Sequence, residues 1–173
     1  MAKITIEGFD SYLAQLKALE ADAEKICKAV VYPGAAILAD ALRAETDALP
    51  VISDARARNN YQHGLPNDHL SYSQKAGLQA GFGITPIRRG NGGMIQCSVG
   101  FSGYNSVATE HYPHGQPNPE VARSLEKGTS YLKRDKFVSR AVKAAKAGAE
   151  AAMKTECDAQ IQRIMDENAG SGD

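Results

Sequence analysis

The stretch from residue 122 to residue 141 constrains the fold most, because it predicts the end of one helix and the start of another within a few residues. Gly128 can end a helix, since glycine adopts a positive φ without a Cβ penalty. Thr129 or Ser130 can then turn the chain. Phe137 anchors the next helix by burying its first apolar position. The sequence therefore predicts a short helix, a tight connector and a long helix.

Two amphipathic helices are predicted before residue 50. Apolar side chains recur at helical spacing from Phe9 onward, opposite a polar face. Pro33 lacks the amide hydrogen that a helix interior needs, so we expect a bend or a restart there. The second segment, 35–49, again carries one apolar stripe and is closed by a proline. A short β-prone segment, 3–7, precedes both helices.

Two stretches, 50–70 and 102–119, contain almost nothing that a core would bury. They are rich in amides, glycine, proline, histidine and charged residues. Loops of this length inside a compact domain are usually functional or disordered. The sequence therefore predicts two long polar loops.

A β-hairpin is predicted between these loops. Residues 82–89 and 94–101 are rich in β-prone side chains and flank a Gly-Asn-Gly-Gly turn. Pro86 predicts an edge or a bulge, because proline cannot donate to a strand ladder. Ser71 is predicted to cap a brief helix that precedes the hairpin.

The last predicted element is one long helix, 136–168, followed by a flexible tail, 169–173. The order of elements indicates an α+β fold. We expect a small antiparallel sheet with a central hairpin, packed by N-terminal helices and the long C-terminal helix, in a single domain covering residues 1–168.

Composition excludes little and favours an ordinary globular protein. Twenty basic residues balance twenty acidic ones, so net charge gives no reason to propose nucleic-acid or membrane binding. The three cysteines, Cys27, Cys97 and Cys157, are widely spaced and are interpreted as free thiols.

The motif residues carry a family resemblance. Ala-Arg-x-x-Glu-x-Gly-Thr-Ser at 122–130, followed by Phe-Val-x-x-Ala at 137–141, resembles the signature of the tail-component family of long-tailed bacteriophages and prophages. In that family an aromatic residue precedes Gly-Thr, and two prolines flank the phenylalanine segment. Here Lys127, Lys136 and Ser139 take those three places. The match is close over the two segments and loose over the rest of the chain.

This resemblance implies a non-enzymatic structural protein of the virion, without a cofactor, assembled in the bacterial host cytoplasm. It implies a homo-oligomeric ring, a hexamer by analogy with tail symmetry, that completes the tail or joins it to the head. The implied partners are tail-tube and neck proteins. Glu126, Gly128 and Thr129 would fix the turn between the last two helices, and Phe137 and Ala141 would dock the final helix.

Charge is unevenly distributed along the chain. One basic run contains a single carboxylate, Asp135, and six basic residues: Lys133, Arg134, Lys136, Arg140, Lys143 and Lys146. An acidic run, 7–24, has five carboxylates against Lys17. Each run alone is typical of a solvated helix face. Together they favour subunits that associate head to tail, with DNA contact by the basic run as the less favoured interpretation.

Two other functional classes stay open. One is a nucleic-acid-binding packaging accessory protein that uses the basic run. The other is a metal-dependent hydrolase built on the loop residues Glu110, His111 and His114, with His63 and His69 from the earlier loop. Their spacing matches no standard metal site, so a solvated loop is the preferred interpretation. The glycine-rich segment 77–83 lacks the lysine of a phosphate-binding loop.

Overall fold

The computed structural model describes residues 9–90 and 93–169. Within these residues the chain forms five helices and six short strands. The helices are α1 Phe9–Ala48, α2 Asp54–Gln62, α3 Tyr72–Ala80, α4 Asn118–Lys127 and α5 Phe137–Ala169. The strands are β1 Val51–Ile52, β2 Leu70–Ser71, β3 Phe82–Ile84, β4 Arg88–Arg89, β5 Ile95–Gln96 and β6 Val99–Phe101. The predicted strand 3–7, the tip of the turn at 91–92 and the last four residues of the predicted tail lie outside the described residues.

Helices α1 and α5 pack along each other and run antiparallel. Gly148 of α5 faces Ile37 of α1, while Arg140 of α5 reaches Glu45 of α1 with its Nε 2.8 Å from the carboxylate. The 40 residues of α1 correspond to a rod of about 60 Å. This helical pair is the longest feature of the molecule.

Of the bend or restart expected at Pro33, the restart was wrong, because one helix, α1, runs without interruption from Phe9 to Ala48. A proline inside a helix removes one hydrogen bond and crowds the preceding turn. A helix that packs closely on another element can nevertheless tolerate it. Gly34 allows such packing, because a Cβ there would lie 2.5 Å from the Met153 sulfur of α5. Close packing of α1 on α5 therefore stabilises the helical conformation across Pro33.

The hydrophobic core lies at one end of this helical pair, where α1 ends and α5 begins. Its buried members are Leu42, Leu49, Leu70, Leu78, Val121, Ala122, Leu125, Leu132, Phe137 and Ala141. Further along the pair, the buried apolar residues are Ile26, Ala35, Ala39, Ala145 and Ile164. The far part of the pair is thus a two-helix arm that projects from a compact base.

The predicted hairpin is confirmed, and it forms a ribbon along α1. β3 pairs with β6 and β4 pairs with β5, both antiparallel. Between the two ladders, residues 85–87 oppose only 97–98, so the register shifts by one residue next to Pro86, as the bulge prediction requires. The Arg43 guanidinium lies 5.3 Å from the Phe82 ring centroid. Further along α1, on the side away from the core, Arg89 pairs with Glu24.

The prediction of a long polar loop over 50–70 was wrong. This stretch contains α2, the short strands β1 and β2, and a turn. Ser53 begins α2 by accepting a hydrogen bond from the Arg56 amide at 3.2 Å. None of the α2 residues is buried, which is why the sequence lacks the apolar stripe that would have identified the helix. β1 and β2 pair in parallel, so the strands do not form the single antiparallel sheet expected.

The Ser71 cap of α3 is confirmed. Ser71 Oγ accepts from the Gln74 amide, and Gln74 Oε1 accepts in return from the Ser71 amide at 3.0 Å. This is a capping box, which satisfies two otherwise unpaired donors.

The second polar loop is present and spans 102–117, with α4 beginning at Asn118, inside the stretch 102–119 that was predicted as loop. Asn118 is 1% exposed and closes the base of the loop, because its Nδ2 donates to the carbonyls of Gly77 and Ser102, each at 2.8 Å. A Cβ on Gly81 would lie 2.1 Å from the Ser102 oxygen. Gly77 and Gly81 thus allow close packing against this loop.

The fold class α+β is confirmed, with five helices, small antiparallel strand pairs and a long C-terminal helix in the described part of the chain. In place of the two predicted N-terminal helices the described residues form one helix, α1. In place of the single predicted sheet they form three separate two-stranded pairs.

Candidate assembly surface

The motif residues lie together at the junction of α4 and α5. Gly128 ends α4 with φ of +78° and ψ of 152°. This ψ lies outside the left-handed helical region that we expected, in a region that glycine alone occupies readily. The Thr129 hydroxyl accepts from the Leu132 amide at 3.0 Å, and the Thr129 amide donates to the Leu132 carbonyl at 2.8 Å. These bonds form the turn of the connector.

Glu126 supplies the N-terminal cap of α5 from the neighbouring helix. Its carboxylate accepts from the Val138 amide at 2.9 Å, from the Ser139 amide at 3.3 Å and from the Ser139 hydroxyl. The first amides of a helix have no intrahelical acceptor, and a negative charge there also faces the positive end of the helix dipole. One side chain of the motif therefore joins α4 to α5.

Phe137 and Ala141 are both fully buried, with 0% exposure, on the face of α5 that meets the core. The Phe137 ring centroid lies 6.0 Å from that of Phe101, which in turn lies 5.7 Å from that of Phe82. This row of rings links the start of α5 to the ribbon. The entry of α5 is thus fixed by Glu126 and Phe137 in a chain without prolines at the positions where the resembling family has them.

The basic run is partly neutralised within the chain. Arg140 pairs with Asp135 at 2.6 Å and with Glu45 at 2.8 Å, and these two hydrogen-bonded carboxylates raise its pKa. The ammonium groups of Lys133 and Lys146 lie 3.8 and 3.9 Å from Asp68 and Glu150. The Arg134 side chain donates to the Glu126 carbonyl at 3.1 Å.

The remaining two residues of the basic run, Lys136 and Lys143, are exposed. Neither has an ion pair with any residue in the described parts of the chain. The free positive charge of the run is therefore smaller than the sequence suggests.

The acidic run lies on α1 at the far end of the arm, away from the basic run. Glu20 is exposed, while Glu24 is bound by Lys28 at 2.7 Å and by Arg89. These two bases hold the pKa of Glu24 below its ordinary value, with the Lys28 hydrogen bond as the largest cause. Glu7 and the side chain of Asp10 lie outside the described part of the chain.

Sequence reasoning missed a cluster of exposed apolar side chains beside the basic run. Tyr61 and Tyr131 lie with ring centroids 5.9 Å apart and are 49% and 55% exposed. Leu65 follows in the turn that ends α2 and is 52% exposed. We call these three residues the tyrosine patch. The signal available in the sequence was that Tyr61 and Leu65 stand in the otherwise polar stretch 58–69.

Hydrogen bonds hold the patch in place. The Asn67 amide donates to the Tyr131 carbonyl, and the Lys133 amide donates to the Asn67 carbonyl, each at 2.8 Å. Asn60 Nδ2 also donates to Asn67 Oδ1 at 2.8 Å. The turn after α2 and the connector before α5 therefore form one rigid unit.

The histidines give no support to a metal centre. Over residues 9–90 and 93–169, no three His, Cys, Asp or Glu side chains are grouped so that they could hold a metal ion. His63 ends α2 with its Nδ1 2.8 Å from the Asn59 carbonyl, and His111 packs edge-on against Tyr112. The three cysteines are free thiols. No helix in the described residues is long and apolar enough to cross a bilayer.

Comparison with known proteins identifies no relative: no family model, no curated protein and no solved structure matches this chain.

Proposed function

We propose that this chain is a structural subunit of a bacteriophage or prophage virion that completes the tail or joins it to the head. It would act by assembling into a ring at the head-proximal end of the tail, where it meets tail-tube and neck proteins. No step of this function requires catalysis or a cofactor.

The observation that carries this proposal is the α4–α5 junction. Three residues that match the tail-component signature have clear structural roles there. Glu126 caps α5, Gly128 ends α4 in a conformation suited to glycine, and Phe137 is fully buried under the ribbon. These contacts agree with the roles that the resemblance implies for the three residues.

The shape of the molecule supports assembly as its mechanism. A two-helix arm projects from a compact base, with the acidic run at the arm end and the basic run at the base. A neutral chain with such a charge distribution is suited to heterologous contacts, in which one end of a subunit meets the other end of its neighbour. Contacts of this kind close into rings when the rotation between subunits permits.

Light scattering and negative-stain electron microscopy of the purified protein test this proposal. We expect a species of about six times the 18.5 kDa chain mass, ring-shaped in projection, whose proportion falls as salt screens the charges. A monomer at every protein concentration and ionic strength would contradict the proposal. So would a dimer that never grows, since that indicates an isologous contact.

A nucleic-acid-binding function is the second candidate, and one observation favours it. Lys136 and Lys143 are exposed near the start of α5, and neither is paired within the described residues. Cations placed in this way can contact a phosphate backbone without regard to sequence.

A further inference from the structure

We infer that the tyrosine patch is the surface on which the arm end of a second copy of this chain docks. We define the arm end as residues 16–24 of α1 with residues 161–167 of α5. This inference rests on the proposed function and deepens it, because it names the two surfaces that would form the contact between subunits.

The patch has the properties of an interaction surface. Two tyrosines in ring contact and a leucine are each about half exposed, although the backbone around them is tied by hydrogen bonds. Tyrosine is enriched at the centres of protein interfaces, since its ring buries a large area with little loss of side-chain entropy. A rigid surface also costs little ordering on binding.

Charge identifies the occupant. The segments that surround the patch, 54–68 and 127–136, carry six lysines and arginines against three carboxylates. The arm end carries five carboxylates against two basic residues, and one of the five, Glu24, is already paired with Lys28 and Arg89. The two surfaces are therefore opposite in sign, and their association would be steered electrostatically.

The arm end also offers apolar side chains to the tyrosines. Leu16 is 44% exposed and Ile161 is 37% exposed, while Ile26 and Ile164 are buried between the helices and hold the arm end together. The level of Glu45 on α1 is about 40 Å from the level of Glu20, given a rise of 1.5 Å per residue. The patch and the arm end thus lie too far apart to meet within one subunit.

Mixing two defective variants tests this inference. The patch variant carries Tyr61→Ser with Tyr131→Ser, and the arm variant carries Glu20→Lys with Asp166→Lys. Each variant alone keeps only one usable end, so we expect at least a tenfold loss of association for each. A mixture of the two should form a dimer of about twice the chain mass and nothing larger, because the patch of one variant can still bind the arm end of the other.

Matched controls change the same residue types elsewhere. Tyr72→Ser with Tyr104→Ser removes two exposed tyrosines away from the patch, and Glu110→Lys with Glu150→Lys reverses two carboxylates away from the arm end. Both controls should assemble like the unmodified protein, and circular dichroism should show that all four variants are folded.

The outcomes separate this inference from the proposed function. An unmodified protein that stays monomeric overturns both. Unmodified protein that forms rings, together with a patch variant that also forms them, overturns the docking surface and leaves the ring proposal standing. Two defective variants that fail to form a dimer on mixing also overturn the head-to-tail pairing.

Discussion

At the scale of single residues, Gly128 is the position where the backbone demands one amino acid. Its φ of +78° with ψ of 152° is strained for any residue with a Cβ, and such a Cβ would lie 3.0 Å from the Cβ of Arg134. We expect Gly128→Val to lower the free energy of unfolding by about 1–3 kcal/mol, measured by urea denaturation.

Gly83 provides the matched control for that substitution. A Cβ at Gly83 would meet nothing within 4 Å, and the residue lies in β3, where valine is favourable. Gly83→Val should therefore leave the free energy of unfolding unchanged or raise it slightly. Equal effects of the two substitutions would contradict the role of Gly128 as a conformational stop.

Glu126 is the residue through which α4 holds α5. Glu126→Ala would leave the Val138 and Ser139 amides without their acceptor, and we expect a loss of about 1–2 kcal/mol in the free energy of unfolding. Hydrogen exchange should rise at these two amides more than at the middle of α5. Glu150→Ala, at an exposed position in the middle of α5, is the control. Unchanged exchange at both amides would show that Glu126 does not cap the helix.

At the scale of elements, Asp54 links α2 to α3. Its carboxylate lies 3.1 Å from the Ser73 amide and 2.9 Å from the Ser73 hydroxyl. A hydrogen bond from Ser71 is the largest of the causes that hold its pKa below the ordinary value of 3.8. A carboxyl group with a lowered pKa in the folded state stabilises the fold above its unfolded-state pKa, and this contribution is lost as the pH falls through the folded-state pKa.

We therefore expect Asp54→Asn to destabilise the protein at neutral pH and to matter less and less as the pH falls below about 3.8. Chemical denaturation of both proteins at a series of pH values measures this difference. Asp158→Asn, at an exposed position on α5, is the control and should have no comparable effect. A difference between Asp54→Asn and the unmodified protein that stays constant down to acid pH would contradict the proposed contacts.

The elements also show which signals in the sequence are sufficient. The Ser71 cap, the hairpin and α5 were predictable because each depends on neighbours in sequence: a capping box, a turn between β-prone runs and an apolar stripe. Helix α2 was not predictable from periodicity, since it buries none of its residues. The continuity of α1 through Pro33 depends on Met153 in the distant helix α5, which no local rule contains.

The same limit applies to the candidate surface. The turn residues Glu126 and Gly128 were identifiable because they lie in one short motif. The tyrosine patch joins Tyr61 to Tyr131, which are far apart in sequence and are brought together by the hydrogen bonds of Asn67. The basic run was identifiable from the sequence as a cluster of positive charge. Its ion-pair partners Glu45 and Asp68 were not identifiable, because they lie in other parts of the chain.

At the scale of the whole molecule, these ion pairs decide how strongly DNA could bind. Each phosphate that a free cation neutralises contributes about −0.9 to the slope of log K, where K is the DNA-binding constant, against log salt concentration. If Lys136 and Lys143 alone are available, the slope for duplex DNA should be about −2, whereas the full basic run of six would give about −5. Fluorescence anisotropy with labelled duplex at several salt concentrations measures the slope.

Charge reversal separates this weak, accidental affinity from a DNA-binding function. We expect Lys143→Glu to weaken the residual binding and lower the magnitude of the slope by about 1 while ring formation persists, because Lys143 lies outside both the tyrosine patch and the segments that surround it. Lys17→Glu with Lys25→Glu, on the arm, should leave DNA binding unchanged. A slope near −5, together with rings that form only when DNA is added, would make nucleic acid the partner around which the subunits assemble, and the ring would then be a consequence of DNA binding and not of contacts between subunits.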